Sequence, residues 1–374
     1  MLEETRRVTP ADVEDELAAL RRSMVGHADS PATLAASVHN LVVIPRDPVG
    51  DLTATLASVI DSHPGRVIVL EGGAAEADTL EAEVAALRVH ARRPAYAEYV
   101  AIEARGRPAA YLPELALPLL VSSVPTILWW AGPPPWQDPS FARLATLADR
   151  VIVDTGRSVD GLADLSHLAR LSSEGGRWEG LGDLNWARLT PWRQLAAQFF
   201  DIPLTRPLLN RIDQIHVFYG TDGAPVRPLL YVGWLASRLR WELEHVARGD
   251  GVWKISYRHG ARSIQVSLVA DPSFADLPGA ITSIRLAAHS PTPATFTVQR
   301  MDDRLCLKAE AVTGAALLGS RIVEMPELDD ADLLRDEMAR VYRNAVYHAA
   351  LREAAAIVRQ AEGEARSLRL GIGE

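Results

Sequence analysis

Four short runs of apolar residues constrain this chain more than any other feature: NLVVIP (40–45), RVIVLE (66–71), TILWW (126–130) and RVIVD (150–154). Their apolar residues are continuous rather than alternating, which predicts strands buried on both faces, as in a mainly parallel sheet covered by helices. The stretches 50–61 and 138–148 between them have helical composition and give a β-α-β rhythm. Segments 82–91 and 96–105 read as two further strands, antiparallel and joined around Pro94. Thr9 before Pro10 opens a helix running to about Met24.

Beyond residue 250 the pattern changes to period two. Trp253, Ile255 and Tyr257 alternate with Lys254, Ser256 and Arg258, and Ile264, Val266 and Leu268 alternate with Gln265 and Ser267. Similar alternation surrounds Ile284–Leu286, Phe296–Val298 and Leu305–Leu307. One polar and one apolar face indicates an antiparallel sheet covered on one side. Helices at about 190–200 and 226–247 precede it. A last helix is expected from Asp329 to about residue 360, with Leu334, Met338, Val341 and Ala345 on one face. The expected fold is α/β plus α+β. An N-terminal helix (1–29) leads into a mainly parallel α/β domain (30–175). An antiparallel-sheet α+β domain with a long C-terminal helix (176–374) follows the glycine- and serine-rich SSEGGRWEGLGD (172–183).

Several chemistries find no support. The formal net charge of −9 argues against nucleic acid or an anionic membrane as partner. The charge-free stretch Leu115–Gln137 is cut by Pro118, Pro125 and the Pro133–Pro135 run, so a short helix and a buried strand are expected rather than a membrane span. No secretory signal is expected from MLEETRRVTP, and the cytoplasm is the expected location. The ten histidines are scattered and Cys306 is the single cysteine, so no metal site and no intramolecular disulfide are expected. Gly72-Gly73 and Gly180-Leu181-Gly182 lack the spacing of a dinucleotide turn, and neither a P-loop nor a Gly-x-Ser-x-Gly elbow occurs. No catalytic residue and no cofactor are assigned.

Tryptophan is the unusual residue. Nine are present, and the densest segment is LGDLNWARLTPWRQLAAQFFD (181–201). Thr190–Pro191 reads as a helix start, leaving Asp183, Asn185, Trp186 and Arg188 just before it and Trp192 and Arg193 in the first turn. Trp and Arg are enriched at binding hot spots. The group is either a domain-joining hydrogen-bond cluster or a partner-binding surface. In VGWLASRLRWELEHV (232–246), Trp234, Arg238 and Trp241 share a helical face, with Gly233 and Ser237 as a small stripe beside it. That face is either core or the back of a binding surface.

Four segments together resemble the OpcA proteins: VPTILWWAGPPP (124–135), ADRVIVD (148–154), GDLNWARLTPWRQLAAQFFD (182–201) and GWLASRLRWE (233–242). The resemblance extends from about residue 30 to 320. It implies a non-catalytic partner of glucose-6-phosphate dehydrogenase that promotes its assembly or activates it allosterically. On that resemblance Asp183, Asn185, Trp186, Arg188, Trp192, Arg193, Trp234 and Arg238 are expected at, or just beneath, the contact. Photosynthetic relatives are linked to thioredoxin control; a lone Cys306 cannot supply the thiol pair that this needs. The competing expectation is a protein or enzyme that binds a sugar phosphate or nucleotide, with Glu71 and Asp154 at the ends of parallel strands.

Overall fold

The computed structural model describes residues 2–26, 38–45, 52–89, 95–249, 251–289, 292–325, 328–340 and 343–369. The chain opens with β1 (Leu2–Val8), α1 (Val13–Gly26), β2 (Asn40–Ile44), α2 (Leu52–Ser62), β3 (Arg66–Gly73), β4 (Thr79–Val89) and β5 (Ala95–Arg105). It continues through α3 (Leu112–Ala116), β6 (Thr126–Trp130), α4 (Pro139–Ala145), β7 (Arg150–Val153), α5 (Gly161–Glu174) and β8 (Leu181–Asp183). Three helices follow, α6 (Leu184–Ala187), α7 (Thr190–Gln198) and α8 (Arg206–Leu209), then β9 (Gln214–Gly220), α9 (Val226–Leu239) and β10 (Glu242–Gly249). The remainder is β11 (Val252–His259), β12 (Arg262–Asp271), β13 (Ile281–Ala288), β14 (Ala294–Arg300), β15 (Cys306–Thr313), β16 (Ala316–Glu324), α10 (Asp330–Met338) and α11 (Ala345–Arg369).

These elements form two units, each built around one eight-stranded sheet. The first unit holds residues 1–157, 174–184 and 328–344; the second holds 158–173, 185–327 and 345–374.

In the first unit the strand order is β1-β4-β5-β3-β2-β6-β7-β8. Every pair from β5 to β8 is parallel, while β4 runs antiparallel to both β5 and β1. The order β5-β3-β2-β6-β7-β8 is the 3-2-1-4-5-6 of a doubly wound sheet, with its switch point between β2 and β6. All residues of β2 and β7 are buried, as continuous apolar runs require. The expected antiparallel pair is β4 and β5; the junction around Pro94 lies outside the described residues. Two buried arginines start strands. Arg66 bonds Glu98 at 2.7 Å and the Leu119 carbonyl at 2.7 Å, and Arg150 bonds Glu337 at 2.5 Å.

In the second unit the order is β10-β11-β12-β9-β13-β14-β15-β16. Neighbours are antiparallel except β9 and β12. The alternation is realised as Trp253, Ile255 and Tyr257, Ile264, Val266 and Leu268, and Phe296 and Val298, all buried on one face, against which α7, α9 and α11 pack. At Gly233 a side chain would collide with the Ala350 carbonyl oxygen, so this glycine permits the close approach of α9 and α11.

Three expectations are corrected. The helix expected over 226–247 ends at Leu239, where Arg240 takes a left-handed φ of 56° and its amide closes back on the Ala236 carbonyl. Trp241 therefore leaves the helical face of Trp234 and Arg238 and is buried 5.8 Å from Tyr257. The ELEHVARG that follows is helical by propensity, but pairing with β11 wins. The single C-terminal helix is two helices: Asp329 caps α10 by accepting from the Asp332 amide at 2.8 Å, and Asn344, a residue type favoured at helix starts, precedes α11. Val341 lies outside the described residues. Leu305 is 61% exposed in the turn before β15, so alternation there begins at Leu307.

Candidate functional site

The tryptophan-rich segment folds into two short helices because its breakers stand at the right places. Pro191 sits in the first turn of α7, where its missing amide proton costs nothing. The segment then packs inward. Trp186 is 0% exposed and Trp192 2% exposed. The Trp186 indole meets Tyr347 of α11 at 5.5 Å between ring centres, and the Arg193 guanidinium lies over it at 3.5 Å. Arg193 also donates to the Thr190 hydroxyl at 3.0 Å and the Trp186 carbonyl at 3.3 Å. Cation, ring and backbone thus form one closed cluster.

Beside it, Tyr231 of α9 is fully buried. Burial pushes its phenol far above the ordinary tyrosine range, with Arg193 pulling weakly the other way. Trp234, half-buried, lies 5.4 Å from Tyr231, and Arg238 is exposed in the last turn of α9. Asn185 is buried and Arg188 half-buried. The structure therefore gathers Trp186, Arg193, Tyr231 and Trp234 in the second unit, with Arg238 at its rim. Asp183 belongs to the first unit. It is buried at the end of β8 and accepts from the Thr155 amide at 3.1 Å and the Thr155 hydroxyl at 2.7 Å.

The other candidate place is the carboxyl edge of the parallel strands. A doubly wound sheet binds a dinucleotide at the switch point, using a glycine-rich turn after its first strand. Here that turn would follow β2, where the sequence reads Pro45-Arg46-Asp47-Pro48-Val49-Gly50-Asp51, with one glycine. After β7, the Asp154 carboxylate accepts from the Gly156 amide at 2.9 Å and pairs with Arg157 at 3.4 Å. Arg157 in turn forks onto Asp330 at 2.7 and 2.9 Å and donates to the Ala131 carbonyl at 3.0 Å. The carboxylate expected to meet a ligand is engaged by its own turn. Glu71 lines a cavity of about 170 Å³ with Glu81, Glu83, Glu103 and Arg7. Its carboxyl is raised by burial and by Glu103. Arg105 pairs with Glu71 at 3.5 Å and with Glu103 at 2.9 Å, but four carboxylates still outnumber the two arginines and disfavour a phosphate.

Sequence reasoning missed an apolar cavity of about 300 Å³ in the second unit, walled by Phe199, Ile202, Leu204, Ala309, Ala311 and Leu318. Its one sequence signal is the apolar Ile202 and Leu204 in a loop, too weak to find it. Cys306 is half-exposed and free. Among the described residues no helix is long and apolar enough to cross a membrane.

Two family domains match in tandem. Residues 57–170 match the N-terminal domain, and residues 179–351 the C-terminal domain, of the OpcA family described as glucose-6-phosphate dehydrogenase subunit. A protein named putative OxPP cycle protein OpcA from Synechocystis sp. is 30% identical over 307 residues, covering 78% of this chain and 62% of that protein. One of the same name from Nostoc punctiforme is 30% identical over 241 residues, covering 62% of this chain and 51% of that protein. The chain thus spans about half to three-fifths of the length of these relatives. Among solved structures, a glucose-6-phosphate 1-dehydrogenase from Mycobacterium avium aligns over 88% of this chain and 92% of its own, at 12% identity and a TM-score of 0.47. That likeness is too distant to carry a functional inference.

Proposed function

Because the chain belongs to the OpcA family, whose matched domains bear the description of a glucose-6-phosphate dehydrogenase subunit, we propose that it is a non-catalytic cytoplasmic partner of that dehydrogenase. In this role it promotes assembly of the enzyme or raises its activity allosterically. One observation carries the non-catalytic part. The first unit keeps the strand order of a dinucleotide-binding sheet, while the sequence that follows β2 holds one glycine where such a sheet carries a glycine-rich stretch. Asp154 is tied to Arg157 and its own loop besides. A doubly wound strand order without a glycine-rich stretch after its first strand supports a role other than dinucleotide chemistry.

Activation then rests on differential binding: the partner is shifted toward its competent state only if this chain holds that state more tightly. A tenfold gain in substrate affinity needs about 1.4 kcal/mol of coupling, well within one interface of ordinary size. Asn185, Trp186, Trp192 and Arg193 act as the stiff support beneath that interface, Arg188, Trp234 and Arg238 reach toward it, and Asp183 holds the strand end that leads into the segment.

The test is the rate of the dehydrogenase from the same organism, with and without this chain, across a range of glucose 6-phosphate concentrations. A saturable rise in rate, or a lower substrate requirement, supports the proposal. An unchanged rate together with no co-elution on sizing sinks it. The strand order itself favours a second reading, a nucleotide or sugar-phosphate binder. Thermal shift with NADP, glucose 6-phosphate and common nucleotides separates the two, since a bound ligand raises the melting temperature.

A further inference from the structure

Among the described residues the second sheet ends on an unpaired edge: β16 is last in the strand order, pairs with β15 on its inner side, and all nine of its residues are exposed. Natural edges are blunted by proline, by lysine, by bulges or by a covering element. The sequence of β16, ALLGSRIVE, contains neither proline nor lysine; its two charges are Arg321, which bonds Gln198 of α7, and Glu324 at the strand end. One bulge is present, where the register passes from Ala311↔Gly319 to Val312↔Leu317 and leaves Leu318 over. From Gly319 to Glu324 the pairing with β15 is regular. That leaves a straight edge of about 20 Å with backbone groups turned outward.

Its side chains do not suit water. Leu317, Ile322 and Val323 are 59%, 57% and 38% exposed, and Leu318 is 39% exposed. Ile202 and Leu204, which wall the 300 Å³ cavity behind the strand, are exposed as well. Val323 stands opposite Leu307, whose face is buried, and Ile322 opposite Lys308, on the other face, so apolar side chains flank the open edge on both of its faces.

We propose that β16 pairs with β16 of a second copy of this chain, antiparallel and edge to edge, joining two eight-stranded sheets into one. An open edge needs an extended partner, and a two-fold axis lets the same strand serve both sides. An axis through Ile322 sets Ile322 against Ile322, Ser320 against Glu324, and Arg321 against Val323, so no like charges stand directly opposite. Shifting the axis to Arg321 opposes two guanidiniums, and shifting it to Ser320 runs the pairing into the bulge. The inference does not depend on the dehydrogenase reading.

The measurement is the mass of the full chain by sizing with light scattering over a wide concentration series, for the wild type and for Ile322→Lys. The expected result is a wild-type dimer, and a monomer for Ile322→Lys with unchanged circular dichroism and melting. Amides turned outward between Gly319 and Glu324 should exchange slowly in concentrated and quickly in dilute wild type. A monomer at every concentration overturns the proposal. So does a dimer that survives both Ile322→Lys and Leu317→Lys. If the chain alone is monomeric and Ile322→Lys loses the dehydrogenase, the edge belongs to that partner and the second-copy assignment falls.

Discussion

The guanidinium of Arg193 lies 3.5 Å over the indole of Trp186, an aromatic ring with no exposed surface. The two residues are seven apart and belong to different helices, so the turn between α6 and α7 is set by a side-chain stack as much as by its backbone. Arg193 bonds the Trp186 carbonyl as well as covering its ring. Side chain and main chain of one residue are thereby held by a single cation, which makes the turn rigid.

Removing the ring should unfold more than it uncovers. Trp186→Ala deletes a fully buried aromatic and is expected to cost about 3–5 kcal/mol, read as a lower denaturant midpoint with unchanged slope. Arg193→Lys keeps the charge but loses the planar fork that reaches Thr190 and the Trp186 carbonyl. A cost of about 1 kcal/mol is expected for it, and a double-mutant cycle should show strong coupling between the two positions. Loss of activation in a Trp186→Ala variant would report stability, not contact.

A cleaner probe of the proposed contact is Arg238, exposed at the end of α9. Arg238→Glu is expected to leave melting within the scatter of surface substitutions, about 0.5 kcal/mol, and to weaken activation of the dehydrogenase by tenfold or more. Unchanged activation by a well-folded Arg238→Glu would move the contact away from this face.

The Arg150–Glu337 pair tests the first unit. Both side chains are nearly inaccessible, at 5% and 1% exposure, and 2.5 Å apart. Burial disfavours the charge on each and outweighs their mutual attraction; Arg340 beside Glu337 favours its carboxylate but works against the charge on Arg150. Glu337→Ala leaves a buried guanidinium uncompensated and should cost about 3–5 kcal/mol, whereas replacing both residues by apolar ones of similar volume should cost much less. Chemical denaturation of the three variants measures this.

The parallel strands were legible because Val67–Leu70 and Val151–Val153 are buried on every side, so hydrophobicity alone marks them. β10 was hidden because its charged residues mimic a helix and the bulge between Leu243 and His245 breaks its period. β16 was hidden for another reason: apolar residues fall on both its faces, and all are exposed, a pattern no core predicts. The tryptophan cluster could be found in the sequence, but not its depth. An aromatic stripe on a helix reads the same whether it faces a core or a partner, and only Tyr347, more than 150 residues on, decides that Trp186 faces inward.

The first unit should also lose stability in mild acid through His39. This imidazole is 4% exposed, its Nε2 is buried with no hydrogen-bond partner among the described residues, and burial, with the nearby His63 adding to it, lowers its pKa from 6.5 to about 4. The unfolded chain takes up the proton at pH 6.5, while the folded protein resists it until about pH 4. Between those values the unfolded state binds more protons, so stability present above pH 6.5 is lost as the pH falls toward 4. A shift of this size is worth about 3 kcal/mol. His39→Gln, which cannot take up that proton, should flatten the dependence of the melting temperature on pH between 6.5 and 4. An equally steep dependence in the variant would assign the acid sensitivity to other groups.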